Sequence, residues 1–208
     1  MNQLVVLGYS GHSFVVIEVA QSMGIEIIGY LDFKESQNNY YKLPFLGKES
    51  EFNNSELIKN AIFFPAVGNN EIRKKMLGLL RANSWKETIL IDKSAQISKT
   101  TQIGQSTLVC PKVVINSQAN IGEGCILNTG AIIEHEVKIG NYSHISPGAI
   151  LLGACQIGDN CHIGAGAIIK QGVIISDHVI VGAGAVVLNN ISEGQTWIGN
   201  PAKQLIKT

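Results

Sequence analysis

The stretch IEHEVKIGNYSHISPGAIL, residues 133–151, carries an aliphatic side chain at every sixth position: Ile133, Ile139, Ile145 and Leu151. Val137, Ser143 and Ala149 stand four residues after the first three, and all are small or β-branched. Followed outward, the first column runs unbroken from Ile91 to Val187 and the second from Ala95 to Ile191, seventeen positions each. An amphipathic helix repeats its apolar face every 3.6 residues and a half-buried strand every second residue, so a strict period of six is neither. It describes a hexapeptide β-helix: each hexad supplies a short strand and a turn, three hexads close a triangular coil, and inward residues stack on those eighteen positions away. With coils ~4.8 Å apart, the repeat predicts a prism roughly 27 Å tall. Gly104, Gly122, Gly140, Gly158, Gly164 and Gly182 directly follow the aliphatic residue, where a bend or a positive φ is expected to favour a residue without a Cβ. No insertion interrupts the register. Any active site therefore lies on the faces of the prism or between copies of it, and flat faces with open ends call for partners.

The chain before the repeat has other periods. LVVLG (4–8), IEIIGYLD (25–32) and AIFFPAVG (61–68) read as buried strands, and Phe14 to Met23 has helical apolar spacing. Asn69 and Asn70 occupy an N-cap place before EIRKKMLGLLRAN, with Glu71 in the first turn and basic residues later. KESQNNYY (34–41) reads as a surface loop. The expected class is α/β plus β: a small unit with a parallel sheet over 1–84, a parallel β-helix over 85–192 and a C-terminal tail over 193–208.

Sixteen basic and sixteen acidic residues cancel, which leaves no field to attract nucleic acid or an anionic membrane surface. No run reaches the ~18 apolar residues of a membrane span. MNQLVVLG lacks the basic flank and cleavage site of a signal peptide. Cys110, Cys125, Cys155 and Cys161 show no CxxC pairing, and three of them fall in the small inward column. Free, buried thiols and a reducing cytoplasm are expected.

Two places can carry chemistry. The first strand runs into GYSGHS (8–13) and then a helix, where a doubly wound sheet holds phosphate on backbone amides. The spacing is neither G-x-G-x-x-G nor a Walker motif. Asp32 and Gly68, at the ends of the second and third strands, are expected along the same sheet edge, where with this loop they can hold a nucleotide. The alternative is a tight turn with two ordinary strand-end residues. The second place is Glu134-His135-Glu136. His135 is third in its hexad and is expected exposed at a corner, where carboxylates raise its basicity and hold one ring nitrogen as donor while the other accepts a proton. The alternative is a solvated turn. His144 and His162, eighteen apart, are expected to stack on one edge, an arrangement that also suggests metal.

In order, GYSGHS, YLD, AVGNNEIRKK, ILNTGAIIEHEVKIGNYSHISPGA and WIGNPAK resemble the bacterial nucleotide-sugar acetyltransferases that join a Rossmann-like domain to a left-handed β-helix. The resemblance is strongest to the UDP-4-amino-sugar N-acetyltransferases of the bacillosamine pathway; sialic-acid O-acetyltransferases and perosamine N-acetyltransferases are looser relatives. It covers almost the whole chain. It implies a homotrimer with active sites between neighbouring prisms, acetyl-CoA as co-substrate, a UDP-amino sugar held by the N-terminal domain, and no metal. His135 matches the family's catalytic base and Glu136 its orienting carboxylate. His144 matches a contact of acetyl-CoA. Backbone amides at Gly164–Ala165 and Gly182–Ala183 match the pantetheine site, and Asn200, Pro201 and Lys203 belong to the segment that matches the CoA-contacting tail. Ser10, Gly11, His12 and Asp32 match the uridine-diphosphate site.

An amine attacking a thioester loses a proton as the tetrahedral intermediate forms, a task for a base with a pKa near the working pH. Thioesters are already activated, so direct transfer and silent cysteines are expected. The Gly153 backbone N–H is the candidate oxyanion donor. Three other readings stay open: transfer to a sugar hydroxyl, a γ-carbonic-anhydrase-like metal protein, whose H-x4-H pair is missing here, and a nucleotide-sugar sensor whose prism only trimerises it.

Overall fold

The computed structural model describes residues 3–53, 55–192 and 194–206. Strands β1 (Gln3–Leu7), β2 (Glu26–Leu31) and β3 (Ala61–Pro65) form a parallel sheet in the order β2-β1-β3. Leu4, Val5, Val6 and Leu7 of the central strand are fully buried, as a strand covered on both faces requires. Helices α1 (Gly11–Ser22) and α3 (Asn70–Ala82) accompany it, together with the short α2 (Ser55–Asn60), which apolar periodicity does not announce. The Asn69 side chain caps α3 by accepting the Ile72 N–H at 3.0 Å. Helix α1 begins before the apolar spacing suggests, because Ser10 is extended and the Ser13 N–H turns back onto the Ser10 carbonyl. Loop 34–41 is pinned by two tyrosines: the Tyr9 hydroxyl donates to Asn39 Oδ1 at 2.8 Å and the Ser36 N–H donates to the Tyr30 hydroxyl at 3.0 Å.

Seventeen two-residue strands follow, β4 (Leu90–Ile91) to β20 (Val186–Val187), one per hexad. Each pairs in parallel at an eighteen-residue offset, as Ile126–Leu127 does with His144–Ile145, and three faces result, the first begun by Leu90–Ile91, the second by Gln96–Ile97 and the third by Gln102–Ile103. The aliphatic column is buried from Val109 to Val187, whereas Ile91, Ile97 and Ile103 of the end coil are half-buried. Each fully buried Val, Leu or Ile contributes roughly 1.5–3 kcal/mol, so the stacked column dominates the stability of the prism. All four cysteines are free and buried. Burial pushes the thiols of Cys110, Cys125 and Cys155 up to about 12, which keeps them protonated and unreactive.

The glycines after the aliphatic column play a different part from the one expected. Positive φ falls two residues further on, at Gly124, Gly166 and Gly184 and equally at Glu136, Tyr142 and Asn160. Gly164 is selected by space instead: a Cβ there would lie 2.5 Å from the Ala183 nitrogen of the next coil. Close approach of stacked turns, not backbone handedness, requires glycine at that place.

Along the first face the outward residues of successive coils are Leu90, Leu108, Ile126, His144, His162 and Ile180. Leu90, Leu108 and Ile126 are buried although they point out of the prism, because the N-terminal unit lies on them. One apolar cluster runs from Val16, Ile17 and Ala20 of α1 into Leu90 and Leu108. Ile180 lies beyond this cover and is 47% exposed. Strand β21 (Thr196–Ile198) extends the face in parallel and β22 (Lys203–Gln204) turns back on it antiparallel, so the tail caps this same face.

Candidate active site

Ile133 and Val137 are fully buried, which turns Glu134, His135 and Glu136 outward as the corner between the second and third faces. The His135 side chain is 49% exposed, and its Nδ1 lies 3.1 Å from Glu136 Oε2. A carboxylate oxygen accepts, so Nδ1 is the donor in this contact, and in the neutral ring with that tautomer Nε2 is the acceptor. Glu134 is engaged elsewhere, accepting Asn116 Nδ2 at 3.0 Å. One coil further on, Gly153 lies against the imidazole: a Cβ there would be 2.6 Å from both Cε1 and Nε2. The Gly153 carbonyl accepts the Gly172 N–H and the Ala154 N–H donates to the His135 carbonyl, whereas the Gly153 N–H has no acceptor among the described residues. A proton acceptor and an unused amide donor thus stand side by side.

His144 and His162 stack as the register requires, edge to face, with centroids 5.0 Å apart. They sit where the N-terminal unit meets the first face. His144 Nδ1 lies 3.4 Å from the Gly68 carbonyl, and its Nε2 lies 3.2 Å from Asn128 Nδ2. The Asn128 amide is oriented by the Thr129 N–H, which donates to its Oδ1 at 2.8 Å. A carbonyl at one nitrogen and an amino group at the other define a neutral ring with the proton on Nδ1. Burial above all, then the neighbouring His162, Arg73 and His12, push the His144 pKa down to about 3. His162 is lowered by burial and then by Arg73, and His12 is lowered to about 4 by the same two causes. The His12 ring lies against Gly68, 6.3 Å from His144, with a buried Nε2 that has no hydrogen-bond partner among the described residues. Among the described residues no three metal-type side chains converge.

Beyond His162, a cleft of about 420 Å³ opens between the start of α3 and the first face, lined by Gly68, Asn70, His162, His178 and Ile180. On the adjoining edge, the Gly164 and Gly182 amides donate to the carbonyls of Val181 and Trp197, both at 2.7 Å. Of the two expected amide pairs, only Ala165 and Ala183 therefore keep an N–H without an acceptor among the described residues. Asn200, Pro201 and Lys203 line a surface cavity of about 560 Å³ with Ile198 and Leu205.

At the sheet edge, Asp32 accepts the Tyr9 N–H at 2.8 Å on one oxygen and the Phe33 N–H at 2.7 Å on the other. Its carboxylate thus ties the glycine loop to the end of β2. Ser10 and Asp32 share a cavity of about 310 Å³ with Tyr9 and Phe33. Gly11 and His12 open α1, whose first N–H groups have no partner within the helix. Two groupings result: Ser10 with Asp32, and His12 with Gly68 and His144. Asn128 and Arg73 belong to the second and escape sequence reasoning. The eighteen-residue register does place Asn128 in the turn after the strand below His144, but nothing in the pattern marks Arg73 as buried.

The PglD N-terminal domain family matches residues 3–80, and the GMPPB C-terminal domain family matches residues 85–190. The acetyltransferase domain of PglB from Neisseria gonorrhoeae FA1090 is 34% identical over 99% of this chain and 100% of its own, with a TM-score of 0.91. The chain belongs to this acetyltransferase family. The PglB domain is also solved in complex with acetyl coenzyme A, at 33% identity, 99% and 100% coverage and a TM-score of 0.89. A histidine-to-alanine variant of GDP-perosamine N-acetyltransferase from Caulobacter crescentus, in complex with CoA and GDP-perosamine, is 27% identical over 100% of this chain and 98% of its own, with a TM-score of 0.90. The expected class, a small α/β unit followed by a left-handed β-helix, and the expected acetyltransferase are both borne out.

Proposed function

We propose that this acetyltransferase moves the acetyl group of acetyl-CoA onto the 4-amino group of a UDP-linked 4-amino-4,6-dideoxy sugar, in sites shared by neighbouring subunits of a homotrimer in the cytoplasm. The observation that carries the reading is the His135–Glu136 pair resting on Gly153. The amine nitrogen attacks the thioester carbonyl while His135 Nε2 takes its proton. The Gly153 N–H receives the oxyanion of the tetrahedral intermediate. Collapse breaks the C–S bond, His135 returns the proton to the departing CoA sulfur, and the N-acetylated sugar is left. No cysteine takes part.

Acetyl-CoA as co-substrate is supported by the PglB and perosamine enzymes, which bind it or CoA. The perosamine enzyme holds CoA and its nucleotide sugar together in histidine-to-alanine and histidine-to-asparagine forms, behaviour that suits a histidine used for chemistry more than for binding. The geometry also argues for a shared site. His135 stands on the edge between the second and third faces, Ala165 and Ala183 on the edge between the first and second, and His144 on the first face itself. That spread over two edges and a face favours a site completed by a second prism lying alongside the first. The pantetheine arm of acetyl-CoA would take the Ala165 and Ala183 amides, and Lys203 its phosphates. The UDP group would lie over Ser10, Gly11, His12 and Asp32, with the diphosphate on the start of α1.

Thiol release with acetyl-CoA and the UDP-4-amino sugar tests the reading, with GDP-perosamine and a sialic acid as comparison acceptors. His135→Ala should lower kcat by roughly 10²- to 10⁴-fold. A wild-type rate in that variant would remove His135 from its role, and turnover on the hydroxyl acceptor alone would make the reaction O-acetylation.

A further inference from the structure

The segment GNNEIRKK, residues 68–75, contains Arg73, whose side chain has no part in the chemistry above and is 1% exposed. All five of its N–H groups go to uncharged oxygens. Nε donates to the Gly124 carbonyl at 2.6 Å; Nη1 donates to the carbonyls of Val67 at 3.2 Å and Gly68 at 3.1 Å; Nη2 donates to Asn70 Oδ1 at 2.8 Å and to the Tyr142 carbonyl at 2.7 Å. Gly124 and Tyr142 are equivalent turns of successive coils, and the next turn is held as well. Asn70 Nδ2 donates to the carbonyls of Asn160 and Cys161, and Asn160 Nδ2 donates to Glu71. Arg73 and Asn70 together grip three consecutive coils.

Burying a cation without a counter-charge carries a large desolvation cost, and apolar side chains of similar volume serve a purely structural contact as well or better. What the guanidinium adds is placement. The Gly68 carbonyl that Nη1 holds is the one that accepts the His144 Nδ1–H. The groups facing His144 are Arg73 from α3, His12 from α1, His162 from the next coil, Asn128 and that carbonyl, none of them a carboxylate.

We propose that Arg73 is a positioning residue for acyl transfer. By fixing the Gly68 carbonyl against the β-helix, it holds His144 as the neutral ring with Nδ1 protonated, and so sets the nucleotide-binding edge at a defined distance from the acetyl-CoA groove. The inference rests on the acetyl-transfer reading of this site.

Nitrogen-15 histidine spectra of the whole protein test it, with the His144 signals assigned by their loss in His144→Asn. In the wild type His144 should show the Nδ1–H neutral ring from about pH 7 down to about pH 5. Arg73→Lys keeps a charge but lacks the planar fork. It should move His144 to mixed tautomers and lower kcat at least about tenfold, with the circular dichroism unchanged. In the His144→Asn background the same change should cost less than about twofold more, since both residues act through one contact. Additive losses, or unchanged His144 signals in Arg73→Lys, would overturn the proposal. Should Arg73→Lys fail to fold, the wild type decides: a protonated ring at about pH 5, or a proton on Nε2, overturns it. A wild type that transfers no acetyl group would count against the reaction, while the spectra would still judge the placement of His144.

Discussion

At His135, exposure and reactivity have separate origins. The repeat places Ile133 and Val137 inside and so forces the three residues between them outward. Glu136 there adopts φ 61°, a left-handed conformation costing about 1–2 kcal/mol for a residue with a Cβ. Tyr142, Asn160 and His178 occupy the same kind of corner with the same φ sign, so the strain belongs to the turn and not to catalysis. What distinguishes His135 is its carboxylate partner and the bare backbone of Gly153 against its ring. The eighteen-residue register makes the nearness of residues 135 and 153 legible in the sequence. It does not reveal which glutamate holds the ring, because that depends on Asn116 engaging Glu134. Gly153→Ala isolates the chemistry. Gly153 lies outside the left-handed region, so its backbone tolerates alanine, but the new Cβ would stand 2.6 Å from two ring atoms. We expect the thermal midpoint to stay close to that of the wild type while kcat falls about tenfold to hundredfold through displacement of the base. An unchanged kcat would show that the ring does not work from this position.

The element that joins the two halves is α3. Its amphipathic spacing and its Asn69 cap are legible from sequence, but its docking is not. Leu90, Leu108 and Ile126, which the N-terminal unit covers, are written like Ile132, Ile150 and Ile168, which it leaves half-buried. The short α2 is likewise hidden, since six residues carry too little periodicity to register. Docking encloses His12, His144 and His162 and lowers their pKa values from the ordinary 6.5, to about 4 and about 3 for the first two. Between the folded and ordinary values the unfolded chain binds more protons than the folded one. The histidine contribution is therefore complete above pH 6.5 and is lost as pH falls through about 4 for His12 and about 3 for His144. Glu123, whose carboxyl is lowered chiefly by Arg81, adds a loss of the same sign at the acid end. Urea midpoints measured by fluorescence should fall as the pH is lowered through this range. His144→Asn, which removes one titrating ring, should flatten that fall, and an identical slope in the variant would place its source elsewhere.

Taken whole, the molecule distributes its proposed site around the prism. The period of six makes the prism legible because each inward residue must satisfy the same stacking constraint, and the missing insertions show that no loop can reach over from one edge to another. Which edges come together is set by a surface between chains, and a single sequence carries no periodicity for that. Mixed oligomers decide it. His135→Ala spoils the edge between the second and third faces, while Ile180→Glu places a carboxylate in the exposed groove of the first face without touching the inward column. Each variant alone should be nearly inactive. If each site takes one edge from one subunit and the groove from its neighbour, unfolding and refolding the two variants together in equal amounts creates sites with both halves intact. Random assembly of a closed ring gives each site about one chance in four of that pairing, so activity should recover to about a quarter of the wild-type value. A site contained within one chain would recover nothing, because every chain in the mixture carries one of the two lesions.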